Sequence, residues 1–274
     1  MGSIRIGAVA AAFGRDVEAA LARVATLIEH ARRSGVDLLV LPDAALGGYI
    51  PEFADPDPAE LPPALDRDGP ELRKVAEMAG EMVVCIGFRE AAETGPYNTA
   101  ACVCGDGLLG LHRKVHQPAG EDRVYAAGGV FGAFDTPVGR LGMLVDYDKT
   151  FPESARTLAL DGAEVVACLS AWPTSITNRA PRMAQDRQSR LFDLYDRSRA
   201  AENQVVLVSS NQTGTIGRMR FLGQAKVVGP DGEILARTWA KAGIAVAEVD
   251  VEKPLGAVRK VLSHLTERRP ETYR

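Results

Sequence analysis

Cysteine is scarce in this chain and forms no useful pattern. Four occur in 274 residues, Cys85, Cys102, Cys104 and Cys168, all within apolar strand-like runs and none in a CxxC spacing. They read as buried thiols. Histidine is as thin: of four, only His112 and His116 lie near one another, which argues against a zinc site. No metal and no cofactor are expected. No apolar run approaches the ~20 residues of a membrane span. Positive charge has no surplus either. The net charge of −4 leaves no electrostatic footprint for nucleic acid. The opening Met1-Gly-Ser-Ile-Arg-Ile-Gly7 lacks a signal-peptide apolar stretch and enters a strand directly. Together these absences predict a cytoplasmic protein that meets a small molecule, with no nucleic acid and no membrane among its partners.

What is present is an ordinary soluble composition, 46% hydrophobic and 25% charged, in a chain long enough to bury a large core. One domain over residues 1–274 is expected, since no repeat, low-complexity tract or linker interrupts it. Strands alternate with helices. Ile4 to Ala10 reads as a strand, and Asp16 caps a helix to about Ser34 whose apolar face is Val17, Leu21, Val24, Leu27, Ile28 and Ala31. Val36 to Leu41 is almost wholly apolar, as a strand covered on both faces should be. A helix from Pro70 to about Glu81 precedes strands at Met82–Phe88, Tyr97–Cys104 and Leu108–Val115. Val130–Pro137 and Leu141–Val145 read as a hairpin. Helix 153–161, strand Val165–Leu169, a long helix from about Pro181 to Asn203 and strand Val205–Ser209 follow. Gln224–Val228 and Ile234–Arg237 flank the turn signal Pro230-Asp-Gly232. Ile244–Val249 is the last strand, with a helix from about Pro254. Asp55 to Pro63 reads as a Pro-rich surface loop near the mouth of the site. The alternation argues α/β with a sizeable mixed sheet. By itself it does not choose between doubly wound, barrel and four-layer forms.

One segment carries the most information. In Gly142-Met-Leu-Val-Asp146-Tyr-Asp-Lys-Thr-Phe-Pro-Glu153 an apolar run stops abruptly and Pro152 opens a helix. A residue at such a strand-to-helix elbow is pushed out at the top of a sheet, where nucleophiles are often mounted. The segment resembles the elbow of the nitrilase (carbon-nitrogen hydrolase) superfamily, with Asp146 where that family has its cysteine. Other stretches resemble the family's remaining landmarks in order. They are Val40-Leu-Pro-Asp43 with Gly48-Tyr49, His112-Arg-Lys114-Val-His116, Gly120-Glu121, Arg199-Ala-Ala-Glu-Asn-Gln204, and Gly223 to Gly232. The resemblance implies an α-β-β-α sandwich of two sheets between helical layers. It implies a catalytic glutamate position held by Asp43, the lysine by Lys114, the second glutamate by Glu121 and the nucleophile position by Asp146. It also implies pairing of subunits into a homodimer or larger homo-oligomer through elements after the elbow. Helix 181–203 carries Leu191, Phe192, Leu194 and Tyr195 for that purpose.

The chemistry of these residue types sets the functional expectation. Family chemistry needs an easily activated thiol, a base and a cation for the oxyanion. A carboxylate attacks an amide poorly, and no thioester forms on it. Asp43 is one methylene shorter than glutamate, so its carboxylate retreats by ~1.5 Å. Two acids beside one ammonium favour the charged lysine and let one carboxyl stay protonated. That suits proton transfer during hydration, dehydration, cyclisation or hydrolysis of a small carbonyl, nitrile or amide-like molecule. Two alternatives stay open: a catalytically inactive binder of a small ligand or partner, and residual carbon–nitrogen hydrolysis by carboxylate-activated water. Of the cysteines, Cys168 is closest to Asp146 in the predicted sheet, at the end of the next strand, and its apolar neighbours Ala167 and Leu169 raise a thiol pKa. Tyr49, Tyr147, Trp172 and Phe151 are expected as pocket walls, and Asp148 and Asn211 as polar contacts to substrate.

Overall fold

Alternation along the first strand sets the layers. In β1 (Ser3–Ala11), Ile4, Ile6, Ala8 and Ala10 face one way and Val9 and Ala11 the other, because successive strand side chains point to opposite faces. The computed structural model describes residues 2–52, 56–118, 120–250, 256 and 259–273. The chain continues through α1 (Val17–Arg33), β2 (Leu38–Val40), α2 (Pro70–Ala79), β3 (Val83–Glu90), β4 (Tyr97–Cys104) and β5 (Gly107–Arg113). Then come β6 (Ala133–Thr136), β7 (Gly139–Val145), α3 (Pro152–Leu160), β8 (Val165–Leu169), α4 (Arg187–Asn203) and β9 (Val206–Ser209). Three very short strands, β10 (Asn211–Gln212), β11 (Thr215–Ile216) and β12 (Met219–Arg220), precede β13 (Lys226–Val228), β14 (Ile234–Arg237) and β15 (Gly243–Asp250).

Two sheets result. One has the order β10-β1-β2-β3-β4-β5 with β15 antiparallel on β1, and the other β14-β13-β9-β8-β7-β6. Each mixes parallel and antiparallel pairs. Ile6, Leu38 and Val83 of the first sheet share one core with Leu141, Val165 and Val206 of the second. On the outside, Val24, Ile28, Leu72 and Val75 pack α1 and α2 against the first sheet. Ala155 and Leu158 pack α3 against the second, and Ala200 of α4 lies with Leu207 of β9. The four layers are the α-β-β-α sandwich that the resemblance implied. The chain crosses between sheets at Ser210, whose hydroxyl donates to Leu41 O at 2.8 Å and Cys168 O at 3.3 Å. That bond ties together the edge at which β2 and β8 both end.

Most expected elements are present within a few residues of their predicted ends. The long helix is the main difference. It begins at Arg187, not near Pro181, because the Asp186 carboxylate caps Gln188 N and also accepts from Ser175 N and Ala180 N. The preceding segment is thereby folded over the helix's own cap. Strands β10 to β12 are too short to show a period in the sequence. Asp55 and the start of the helix expected from about Pro254 lie outside the described residues. Of the Pro-rich segment, Pro58–Glu60 forms a short 3₁₀ turn. No described helix is long and apolar enough to cross a membrane.

Candidate active site

Strand ends from both sheets bring the predicted site residues to one edge, where ligands commonly bind in open α/β sheets. Asp43 follows β2. It is placed by a glycine on the next strand: a Cβ on Gly87 would lie 2.6 Å from Ala44 N and 2.8 Å from Asp43 Cα. The chain therefore runs flush across β3, with Ala44 in the left-handed region at φ 55°. The Asp43 side chain is fully buried. Its Oδ2 accepts from Asn98 Nδ2 at 3.1 Å and its backbone carbonyl from Gln212 Nε2 at 2.9 Å. Oδ1 is buried with no hydrogen-bond partner. Burial pushes the Asp43 pKa up to about 8; Lys114 works against the shift and the charges of Asp146 and Glu121 add to it. At neutral pH the group holds its proton, and Oδ1 is the oxygen left free to carry it.

Lys114, just after β5, is also fully buried. Its Nζ lies 2.7 Å from Glu121 Oε2 and 3.4 Å from Asp146 Oδ2. Desolvation opposes its charge, but Glu121, Asp146 and Asp43 outweigh burial and hold the ammonium above its ordinary pKa. The sequence suggested Asp43 and Asp146 as its two acids. The direct ion pairs instead go to Glu121 and Asp146, since the short Asp43 side chain does not reach. Glu121 opens a 3₁₀ turn after Gly120, and Tyr49 donates its hydroxyl to Glu121 Oε1. Burial raises the Glu121 pKa, with Lys114 opposing.

Asp146 stands at the end of β7 with φ 49°, a left-handed conformation that costs a non-glycine residue about 1–3 kcal/mol. Its Oδ1 accepts from Ala171 N at 3.2 Å. Several contacts hold this strained turn. Gly142 lets α3 lie on β7, since a Cβ there would meet Leu158 at 2.9 Å. Asp148 accepts from His116 N at 2.8 Å and Val115 N at 3.2 Å, and bonds the rings of His112 and His116 at 2.9 Å. Despite burial, those imidazole and backbone hydrogen bonds hold its carboxyl far below the usual range. Arg199 donates to the carbonyls of Lys149 and Thr150 at 2.8 and 2.9 Å. Behind the turn, Lys149 and Lys226 each lie 2.8 Å from Asp196, with both ammonium groups over the Phe192 ring.

A cavity of about 410 Å³ opens onto Asp146, walled by Tyr49, Tyr147 and Trp172 among others. Three of the expected wall residues are therefore in place. Asn211 is not on that wall. It is fully buried, and its amide accepts from Trp172 N at 2.8 Å and donates to Trp172 O at 3.2 Å, so it holds the Trp172 backbone instead. Asp148 is likewise consumed by the elbow, and Phe151 stacks on His116 at 3.8 Å. Asn98, Gly87 and the Ala171 N–H escaped sequence reading. Asn98 left a faint trace as a polar residue near the start of an otherwise apolar strand. The other two act through backbone geometry, which sequence does not display. All four cysteines are free and buried, and burial pushes the Cys168 thiol up to about 12. Among the described residues no group of three or more His, Cys, Asp or Glu could hold a metal ion.

The family model for carbon-nitrogen hydrolases matches residues 5–254. An N-carbamoylputrescine amidase of Arabidopsis thaliana is 27% identical over 94% of this chain and 90% of its own. A crystal structure of a carbon-nitrogen hydrolase from Helicobacter pylori G27 superposes with a TM-score of 0.87 at 27% identity, covering 99% of this chain and 97% of that one. A mutant amidase from Nesterenkonia sp. AN1, solved with an acetamide moiety added covalently at its active-site cysteine, superposes with a TM-score of 0.77 at 22% identity, over 98% and 95% of the two chains.

Proposed function

The chain belongs to the carbon-nitrogen hydrolase family, and we propose that it is an enzyme of that family working without a thiol. Asp43, Lys114 and Asp146, assisted by Glu121, form its catalytic group. The substrate is a small carbonyl, nitrile or amide-like molecule, and the chemistry is acid–base: addition of water to the electrophilic carbon, its loss, or the related cyclisation or hydrolysis. One observation carries this reading. Asp43 keeps a proton at neutral pH and leaves Oδ1 unpartnered, while Asp146 presents a carboxyl braced by Lys114 and the Ala171 N–H at the cavity floor. A protonated acid beside a second carboxyl that can accept a proton is the usual arrangement for proton-transfer catalysis.

Water bonds the substrate carbon and its proton passes to Asp146. The displaced electron pair moves onto the substrate's oxygen or nitrogen, where the Lys114 ammonium offsets the charge. Asp43 Oδ1 supplies the proton that neutralises it. From an amide, Asp146 then passes its proton to the nitrogen of the adduct, the C–N bond breaks and the amine leaves as the carbonyl re-forms, and the hydroxyl proton released returns to Asp43. Run in reverse, the same pair removes water. The Nesterenkonia amidase takes its adduct on a cysteine; here the elbow residue is Asp146, and the nearby Cys168 thiol is buried and held protonated. An inert binder is the weaker reading. Burying one ammonium among several carboxyls is costly, and a pocket that only binds gains nothing from it.

Untargeted metabolite turnover by the wild type against Asp146→Ala tests the proposal. Products should form with the wild type only, and thiol-alkylating reagents should leave the rate unchanged. Equal turnover by Asp146→Ala, or inactivation by a thiol reagent, would refute it.

A further inference from the structure

The walls of the cavity above Asp146 also say what kind of tail the substrate carries. Thr174 lines it, is 3% exposed, and has its Oγ1 buried without a hydrogen-bond partner. A buried hydroxyl without a partner is unfavourable, so a ligand atom that completes it is favoured. Gln188 stands on the same wall and gives its Oε1 to the Trp172 indole N–H at 3.0 Å. That leaves the Gln188 Nε2 donors for a ligand. Both groups are neutral, and both line the same cavity as Trp172.

Charge is distributed to one side. The described residues that line the cavity include no lysine, arginine or histidine. Asp146 lines it, and the Lys114 ammonium behind Asp146 is fully buried with its ion pairs to Glu121 and Asp146 already made. Lys149 lies 5.1 Å from the Trp172 ring centroid, close enough to matter were it unpaired. It is bound to Asp196 at 2.8 Å, and Lys226 beside it is shared between Asp196 and Asp193. The two lysines there are balanced by two aspartates. Asp146 is therefore the charged group that the described lining presents to a ligand.

We propose that this site takes a small substrate with an uncharged tail tipped by a hydrogen-bonding group, seated against Trp172 and held by Thr174 and Gln188, and that it rejects a tail carboxylate. The proposal rests on reading the cavity as the substrate site of the acid–base centre. A carboxylate there loses water, finds no cation and faces excess negative charge, which weakens binding on the order of ten- to a hundredfold.

Calorimetric titration with four matched amides tests this: 4-hydroxybutyramide, 4-aminobutyramide, succinamate and butyramide. The wild type is expected to bind 4-hydroxybutyramide at least tenfold more tightly than succinamate and more tightly than butyramide. Thr174→Val should erase most of the hydroxyl compound's advantage over butyramide, with a cooperative thermal melt showing that the variant is folded; an advantage that survives the change overturns the role of Thr174. Succinamate binding as well as the hydroxyl compound overturns the proposal. So does 4-aminobutyramide binding most tightly, which would assign a cationic tail. Failure of all four to bind overturns it as well. The catalytic reading fails separately: tight, tail-selective binding with no turnover of any bound compound sinks the chemistry and leaves the specificity standing.

Discussion

Asp43→Asn should make this protein more stable and less active, by amounts that follow from burial. The Asp43 pKa stands at about 8 in the fold against an ordinary 3.8. A carboxyl raised in this way helps the folded state fully below its unfolded pKa and loses that help as pH rises toward its folded pKa. The window is thus about pH 4 to 8. At pH 7 the unfolded chain gains from ionising Asp43 while the folded chain stays protonated, a handicap of about 4 kcal/mol at 1.36 kcal/mol per pKa unit. Asparagine has the same shape and no such handicap. Its extra buried N–H takes back part of the gain, leaving about 2–4 kcal/mol. For a chain of this length that is a rise in melting temperature of about 4–8 °C. The difference between variant and wild type should be near zero at pH 5, clear at pH 7 and largest at pH 9. Turnover should fall sharply throughout, since the amide cannot release the proton. Thermal melts of both proteins at the three pH values decide the matter. A variant less stable than wild type at pH 9, or a gap that does not change with pH, refutes the argument that Asp43 is buried as a neutral acid.

Lys114→Ala should lower kcat by on the order of 10²-fold, as for loss of an oxyanion donor. It should move the pH optimum upward as carboxyl groups lose their counter-charge. Lys114→Arg should not rescue it, and a kcat–pH profile showing undiminished rate removes the lysine from the mechanism. Asp146→Cys alone should give little amidase activity, because Asp43 stays a methylene short of a thiol's base. The double change with Asp43→Glu should do better in the same assay, and full activity from the single change would refute the retuning of both positions. Asp196→Asn should cost about 3–5 kcal/mol in denaturant unfolding, since two fully buried ammonium groups lose their shared partner; a loss under 1 kcal/mol would mean the lysines relax to other partners. A homodimer or larger assembly remains our proposal, with Leu194 exposed on α4 and Phe192 buried in the protein's own core. Sedimentation at micromolar concentration showing 29.3 kDa would overturn it.

Much of this protein was legible in one dimension. Period-2 and period-3.6 patterns are local, so strand Val165–Leu169 and the Asp16 cap were visible before any coordinate. The ordered motifs named the residues that meet, and Asp43, Lys114, Glu121 and Asp146 do meet. The sequence also showed that the elbow carries a carboxyl and no thiol. What it could not express were contacts between residues distant in the chain. That Lys114 pairs with Glu121 and not Asp43 depends on one methylene of reach across three strand ends. That Asn211 holds the Trp172 backbone instead of facing a ligand depends on where β10 leaves the second sheet to pair with β1. Asn98 against Asp43, the tight passage of Asp43 over Gly87 and the Ala171 N–H on Asp146 all arise from packing. Residue type decided which chemistry was possible. The direction of each side chain, the water it lost and the charge it faced were set only when the two sheets closed on each other.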